Sequence, residues 1–436
     1  MVRSAVIGAG FIGLTHIEAL RRLGSVDVVA LADALGAGEK AAALQVPKGY
    51  AGYQELIDHE MPDVVHVCTP NETHFEIAMY ALERGIHVVC EKPMAMSVEQ
   101  ARIMTETALA KGVVNAICLI NRFYPMAYQM KDMVARGDAG RIFSIGGSYL
   151  QDWLMYDTDY NWRLESSRGG ATRAVADIGY HWMDLMEFVT GHRITEVCAD
   201  FSTFHKVRRK PLGSVETFSS ATWKAENFTE IPIDTEDYAA FLFHTDGGAH
   251  GSCVVSQAVA GRKNQLRLSV AGSRCSLLWD SEDTNSLWVG HRNEANQLYA
   301  KDPGILTPEA CRYASFPGGH LEGYPDTFKQ LFKSFYGMVE NRIKDGAPAV
   351  GASAGHVPGG GESAAVGGVS AIGGGESANG GGVSASVGKA TPEGKGVSAG
   401  RDAQQTDISD FRAGLRGMIL TEKLLESAGG RRWVSV

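Results

Sequence analysis

The sequence predicts an α/β protein: a doubly wound parallel sheet at the N-terminal end, then an α+β part built on a largely antiparallel sheet. Three observations predict it. Short runs that are apolar throughout alternate with helical patterns over roughly the first ~120 residues. A G-x-G-x-x-G loop follows the first of these runs and opens the first helix. Beyond Asn121 the texture changes to closely spaced strand-like segments separated by glycine or polar turns.

Taken in order, Ser4–Ile7, Val26–Ala32, Val64–Cys68, Val88–Cys90 and Val113–Ile120 read as strands, with helices at Ile12–Leu23, Glu72–Arg84 and Ala101–Lys111. Runs without polar alternation suit strands covered on both faces. The second series is Arg141–Leu150, Ile194–Phe204, Val215–Trp223, Ala239–His244, Gly248–Ala258, Gln265–Ala271, Arg274–Trp279 and Ser286–His291. Turns such as Thr245-Asp246-Gly247-Gly248 separate most of them. A helix, Tyr180–Val189, lies between the first two. Another, Asp326–Lys344, carries Phe328, Leu331, Phe332, Phe335, Met338, Val339 and Ile343 at 3–4 spacing. From about Gly351 to Gln405 the chain is Gly-rich, lacks aromatic residues and repeats GGGESA and GVSA. Such a composition cannot bury enough apolar surface to offset its ordering entropy, so it reads as a flexible insertion. A last amphipathic helix is expected at Ile408–Ser427. The expected domains are therefore 1–122, 123–350, the insertion 351–405, and a C-terminal helix in 406–436 packing back on the body.

Composition narrows the class. The chain has 436 residues, enough for two or three domains. Forty-one Lys and Arg against fifty Asp and Glu leave a net charge of −9, which argues against a protein built to grip nucleic acid. Seven cysteines without a C-x-x-C pair make no disulfide framework. No apolar run approaches the ~18 residues of a membrane span, and the N-terminus lacks the features of a signal peptide. A cytoplasmic protein fits these facts best.

The chemistry begins at Gly8-Ala9-Gly10-Phe11-Ile12-Gly13. Its glycines permit a tight turn, close backbone approach to a pyrophosphate and close helix–sheet packing. The helix N-terminus then offers unpaired N–H groups and a positive dipole end. Asp33 ends the second strand, where a carboxylate accepts from ribose hydroxyls and repels a 2′-phosphate, favouring NAD over NADP. Thr69-Pro70-Asn71 and Glu91-Lys92-Pro93 follow the third and fourth strands, on the side where such sheets bind ligands. Asp177 and His181 are four apart, a spacing that puts a carboxylate beside an imidazole on one helix face. Plainer readings stand beside these: Lys92 as a turn lysine, and Asp177 as a helix cap with His181 in the core. His16 reads as packed rather than reactive. Cys68, Cys90 and Cys118 read as small buried hydrophobes, and no His/Cys group has zinc spacing. Glu216, Glu226, Glu230, Asp234, Glu236 and Asp237 read as a solvated acidic face.

Together, GAGFIG with Asp33, CTPNETH at Cys68–His74, EKPMA at Glu91–Ala95, NRFYP at Asn121–Pro125 and DIGYHWMDL at Asp177–Leu185 resemble the Gfo/Idh/MocA oxidoreductases over nearly all the chain except the Gly-rich insertion. The resemblance implies an N-terminal Rossmann domain and a C-terminal α+β domain with a large, open-faced sheet that mediates homo-oligomers. It implies NAD as cofactor, held by Gly8, Gly10, Phe11, Ile12, Gly13, Asp33, Thr69, Pro70, Asn71, His74, Glu91, Lys92, Arg122, Trp162 and Arg163. It makes Lys92, Asp177 and His181 the catalytic positions. Tyr124, Trp153, Asp159 and His320 join them as substrate-facing residues, His320 by likeness of Gly318–Asp326 to sugar-handling members. No metal, membrane or nucleic-acid partner is implied.

The expected reaction is hydride transfer from a secondary hydroxyl of a pyranose, glycoside or cyclitol to NAD. His181 takes the hydroxyl proton, Lys92 holds the alkoxide and Asp177 orients the imidazole. Oxidation at C3 of a glucoside is the preferred specific expectation. Three alternatives stay open: a glycosidase or lyase that holds NAD tightly for transient C3 oxidation, an inositol or polyol dehydrogenase, and a non-catalytic NAD-binding sensor.

Overall fold

The computed structural model describes residues 1–212, 228–345 and 408–436. The strand expected at Val215–Trp223, the Gly-rich segment 351–405, Glu216 and Glu226 lie outside the described residues.

Apolar runs near the N-terminus become β1 (Val2–Ile7), β2 (Val26–Ala32), β3 (Gly49–Tyr50), β4 (Val64–Val67), β5 (His87–Cys90) and β6 (Asn115–Ile117). They form one sheet in the order β3-β2-β1-β4-β5-β6, parallel throughout. The connecting helices are α1 (Phe11–Arg21), α2 (Ala37–Ala43), α3 (Tyr53–Glu60), α4 (His74–Glu83) and α5 (Val98–Lys111). Every residue of β4 and β5 is buried, as strands sandwiched between helix layers require. The chain order reverses between β1 and β4, so a crevice opens beyond the carboxyl ends of those two strands. Ser97 caps α5 through its hydroxyl, which accepts from Gln100 N at 3.2 Å. The strand expected at Val113–Ile120 is only three residues long, because Ile117 N donates to Ser409 O at 2.7 Å and the chain then turns into a short 3₁₀ segment, Ile120–Phe123. Helix α2 and strand β3 carry no periodic signal, being short and rich in Ala and Gly.

Helix α6 (Pro125–Ala135) leads into the second part. Its elements are β7 (Ile142–Leu150), α7 (Ser166–Gly169), α8 (Tyr180–Thr190), β8 (Ile194–Ser202), β9 (Val207–Pro211), β10 (Phe228–Pro232), β11 (Tyr238–Thr245), β12 (His250–Ser256), β13 (Gln265–Gly272), β14 (Ser276–Asp280), β15 (Ser286–Gly290) and β16 (Gln297–Ala300). After them come α9 (Pro308–Cys311), α10 (Tyr324–Lys344), α11 (Phe411–Gly430) and β17 (Val434–Ser435). Nine strands form a sheet ordered β16-β15-β14-β13-β7-β12-β11-β8-β17, antiparallel except for the central β7–β12 pair. Strands β9 and β10 pair separately.

Side-chain alternation divides the large sheet into two faces. Val197, Phe243, Cys253, Leu268, Leu277 and Val289 are buried on one face, toward α6, α8 and α11. Among the described residues nothing covers the other face: one cross-strand row, Cys198, Leu242, Ser252, Gly146, Ser269, Leu278, Trp288 and Leu298, crosses eight strands without a buried member.

Helix α10 buries Phe328, Leu331, Phe332, Phe335 and Val339 against α1 and the 120–123 segment, whereas Ile343 is exposed. Each such side chain contributes roughly 1.5–3 kcal/mol by leaving water. Helix α11 lies against both α5 and β8 and so ties the two sheets together. Both sheets and α11 belong to one compact unit.

The acidic stretch differs from its expected solvated state. Glu236 and Asp237 are buried, because Asp237 pairs with Arg173 and Arg208 and Glu236 accepts from the backbone of Arg173 and Val175. Glu230 and Asp234 are exposed, as read from sequence.

Candidate active site

The glycine loop closes on itself. Gly8 has φ +93°, a left-handed value open to glycine, and its N–H donates to Ala32 O at 2.8 Å. A Cβ on Gly13 would strike the Gly8 carbonyl, so glycine there lets α1 pack against the turn. A Cβ on Gly10 would meet nothing within 4 Å. That open side is where a pyrophosphate can approach the N-terminus of α1.

Asp33 stands at the end of β2, its Oδ2 accepting from Ala9 N at 2.8 Å and its Oδ1 from Leu35 N at 2.9 Å. Lys40 Nζ lies 2.8 Å from Oδ2. Burial opposes the Asp33 charge, but Lys40 and the two amides outweigh it and hold the carboxyl below its ordinary value. An ionised carboxylate fixed there suits ribose hydroxyls. Beside it, His74 ties the loops after β4 and β5 together, with Nδ1 2.8 Å from Pro93 O and Nε2 2.8 Å from Thr69 O.

Farther along the crevice, Lys92 Nζ donates to Asp177 Oδ1 at 2.7 Å and to Asp177 O at 2.8 Å. Gln257 Nε2 donates to Asp177 Oδ2 at 2.7 Å, and Arg163 Nε lies 3.4 Å from Oδ1. Burial works against the Asp177 charge, yet Lys92 and Arg163 keep its carboxyl far below the usual carboxylate range. Asp177 therefore clamps Lys92. The expected Asp177–His181 pairing does not form: both carboxylate oxygens have other partners, and buried His181 Nδ1 has no hydrogen-bond partner among the described residues. The backbone supplies the reason. Asp177 lies in a π-helical turn, Val175–Gly179, that precedes α8, so the four-residue stacking of an α-helix does not apply. Burial first and the Lys92 charge second lower the His181 pKa to about 3, against smaller opposing effects of Glu91 and Asp177. The imidazole is neutral near pH 7 and able to accept a proton.

These groups share one cleft of about 830 Å³. Gly8, Gly10, Phe11, Ile12, Asp33, Thr69, Pro70, Asn71, His74, Glu91, Lys92, Trp162, Arg163, Asp177 and His181 all line it. Six expected residues do not. Gly13 is buried beneath the turn. Arg122 is held by Asp184, with Nε donating to Oδ2 at 2.7 Å. Tyr124 is buried against Trp279. Trp153 donates Nε1 to Gln151 Oε1 at 2.8 Å and packs against the small apolar cluster of Leu154, Leu164 and Ile233. Asp159 accepts from Tyr156 N at 2.7 Å within its own turn. His320 is exposed, its Nδ1 3.2 Å from Gly318 O. In their place the cleft gains Tyr149, Gln151 and Asn264, with Asn264 Oδ1 accepting from Tyr149 Oη and Gln151 Nε2, both at 2.8 Å. Their only sequence signal was a position at or just beyond the ends of predicted strands.

A glycine cradle open at Gly10, a fixed ribose-side carboxylate and a Lys–Asp pair beside a neutral imidazole define a nicotinamide-dependent dehydrogenase. Residues 2–118 match the oxidoreductase family with an NAD-binding Rossmann fold, and residues 128–278 match the GFO/IDH/MocA C-terminal domain. Together these matches span more than half the chain, which belongs to the Gfo/Idh/MocA oxidoreductase family. Levoglucosan dehydrogenase of Pseudarthrobacter phenanthrenivorans is 28% identical over 300 residues, covering 66% of this chain and 76% of that protein. D-glucoside 3-dehydrogenase of Escherichia coli is 32% identical over 232 residues, covering 52% of this chain and 64% of that protein. The crystal structure of an inositol dehydrogenase homolog complexed with NAD+ from Azotobacter vinelandii superposes with a TM-score of 0.76 at 26% identity, covering 100% of this chain and 97% of that one. The protein is thus an NAD-binding oxidoreductase. Among the described residues, no helix is long and apolar enough to cross a membrane.

Proposed function

We propose that this protein oxidises a secondary hydroxyl of a pyranose sugar or glycoside, at C3 of a glucoside, in the cytoplasm. One observation carries the reading: a clamped lysine and an unpartnered neutral imidazole share a single cleft with the glycine cradle. Bound NAD supplies the hydride acceptor. The chain's own groups manage proton and charge. His181 receives the hydroxyl proton, because burial keeps it unprotonated near pH 7. Lys92 presents a fixed positive charge to the developing alkoxide, and Asp177 with Gln257 prevents that ammonium from swinging away. Tyr149, Gln151 and Asn264 offer hydrogen bonds to further hydroxyls.

The names of relatives support the regiochemistry. One is the D-glucoside 3-dehydrogenase already described, and another is glucose-6-phosphate 3-dehydrogenase of Bacillus subtilis, 27% identical over 351 residues. The test is incubation of NAD and purified protein with alkyl glucosides, following NADH absorbance and product NMR. NADH formation with loss of the hydrogen at C3 is expected. Loss at another ring carbon overturns the C3 assignment. Glucoside consumption without NADH accumulation replaces net oxidation by a closed oxidation–elimination cycle.

The same reading includes a homo-oligomer. The uncovered row on the large sheet, small at Gly146, Ser252 and Ser269 and apolar at Leu242, Trp288 and Leu298, suits face-to-face packing of a second copy. Native mass spectrometry reports the subunit number.

A further inference from the structure

Beneath the catalytic groups runs a buried hydrogen-bonded chain that the proposed reaction does not use. His16 from α1 and His66 from β4 are both fully buried, and their Nδ1 atoms face each other at 2.9 Å. His16 Nε2 lies 3.1 Å from Glu91 Oε1. His66 Nε2 lies 2.9 Å from Tyr336 Oη, which lies 2.8 Å from Ser4 Oγ. Phe328 and Phe332 of α10 pack against the imidazoles. Glu91 opens onto the cleft. The donor atoms of His16, Glu91 and Cys118 lie within 4.8 Å of one another, but both ring nitrogens of His16 already have hydrogen-bond partners.

Only one hydrogen fits between two ring nitrogens at that separation, so the two tautomers are coupled. When Glu91 is ionised and His16 neutral, His16 presents Nε2–H to it, and His16 Nδ1 is then an acceptor, 2.9 Å from His66 Nδ1 and 3.2 Å from the Cys68 thiol. His66 must carry its hydrogen on Nδ1, its Nε2 accepts from the Tyr336 hydroxyl, and Tyr336 accepts from Ser4. Adding one proton at Glu91 reverses every link. Glu91 then donates to His16 Nε2, His16 Nδ1–H to His66, His66 Nε2–H to Tyr336, and Tyr336 to Ser4. Both states keep all four hydrogen bonds. The chain ends at buried Ser4, so it stores a proton and conducts none to solvent.

We propose that His16, His66, Tyr336 and Ser4 are positioning residues that let Glu91 exchange one proton without losing a hydrogen bond, and so set the charge beneath Lys92 and His181. Ionised, Glu91 supports the Lys92 ammonium and the imidazolium that His181 becomes. Burial opposes the Glu91 charge, but His16 and Lys92 outweigh it and hold the carboxyl below its ordinary value. Protonated, below the ordinary carboxylate range, Glu91 withdraws that support and turnover falls. The groups facing Glu91 are Lys92 on its own loop, Cys90 at the end of β5, His16 on α1, His74 on α4, Cys68 and Cys118 beyond β4 and β6, His181 on α8 and Tyr324 on α10. Burial raises the three thiols and Tyr324, so they remain neutral near pH 7 and do not mimic the switch. Burial lowers His74, whose ring nitrogens are held by the Pro93 and Thr69 carbonyls.

The remote end provides the test, and its activity arm rests on the dehydrogenase reading. Ser4→Ala and Tyr336→Phe each leave the reversed, protonated state with a donor that lacks an acceptor, while the ionised state loses only an acceptor's partner. Both variants should move the acid limb of kcat/KM to lower pH, by up to about one unit. Glu91→Gln should remove that limb and leave a low, flat plateau. Acid limbs that stay in place in Ser4→Ala and Tyr336→Phe, whatever happens to Tm, overturn the proposal. Nitrogen NMR of labelled histidines reads the tautomers directly and needs no substrate. His16 and His66 should exchange tautomer together as pH falls in the wild type, and fixed tautomers refute the chain even if no sugar is ever turned over.

Discussion

Replacing Gly10 and Gly13 separately by alanine should distinguish a nucleotide cradle from a merely tight turn. At Gly13 an added Cβ would sit 2.0 Å from the Gly8 carbonyl oxygen, whereas real Cβ contacts are essentially never under 3.0 Å. Something must move by about 1 Å. The loop is pinned by Gly8 N to Ala32 O and by Ala9 N to Asp33, each at 2.8 Å, so α1 yields. Overpacking of this kind costs ~1–3 kcal/mol, and a 1 Å misplacement near a reacting site can cost ~10²-fold in rate. Gly13→Ala should therefore lower the Tm of the NAD-free protein and weaken NAD together. At Gly10 the added methyl meets no protein atom within 4 Å, and the backbone there is extended. Gly10→Ala should keep Tm unchanged, within the ~0.5 kcal/mol of an ordinary surface change. It should weaken NAD by about tenfold or more, because the methyl occupies the path of the pyrophosphate. Differential scanning fluorimetry gives the first quantity and isothermal titration calorimetry with NAD the second. Wild-type NAD affinity in Gly10→Ala would refute the cradle, since no protein contact then accounts for the open side.

Three further outcomes are expected. His181→Ala should lower kcat by ~10²–10⁴-fold while NAD affinity changes little, and near wild-type turnover would remove the imidazole from the chemistry. Arg122→Met should destabilise the fold by about 3–5 kcal/mol, because it leaves the largely enclosed Asp184 carboxylate without its Arg122 partner. Its NAD affinity should be unchanged, and a large loss of affinity at constant Tm would return Arg122 to the cofactor site. Acid should also destabilise the fold through His87 and His181, whose folded pKa values are lowered by burial to about 4 and about 3 from 6.5. Their unfolded forms take up protons first as pH falls. Stability is thus complete above about 6.5 and is lost as pH drops toward 4, at on the order of 1.4 kcal/mol per unit per group. Urea unfolding at pH 7 and pH 5 measures this, and equal free energies at the two values would contradict it.

Much was legible because local pattern reports burial. The mainly apolar runs Val64–Cys68 and Val88–Cys90 suit strands covered on both faces, and the strands found there, Val64–Val67 and His87–Cys90, are buried throughout. The 3–4 stripe of Phe328, Leu331, Phe332 and Phe335 named the buried face of α10. Loops at strand ends carry ligands for topological reasons, so the chain order alone brought Gly8, Asp33, Thr69 and Lys92 to one crevice. Local pattern was silent where a residue's environment is set by a distant partner. The family resemblance puts Arg122 with the cofactor, and only the fold shows Asp184 holding it. Glu236 and Asp237 read as solvated until two arginines and two backbone amides close over them.

By itself the sequence determined the two kinds of sheet, the glycine turn and the identities of the lysine, aspartate and histidine. The chemistry of side chains and the period of burial are both local properties. Only the tertiary structure decided which of them touch. A π-helical turn rotates Asp177 onto Lys92 and leaves His181 unpartnered, and His16, His66 and Tyr336 meet from α1, β4 and α10. Such pairings depend on how elements far apart in the chain pack, and side-chain spacing along one element carries no record of that.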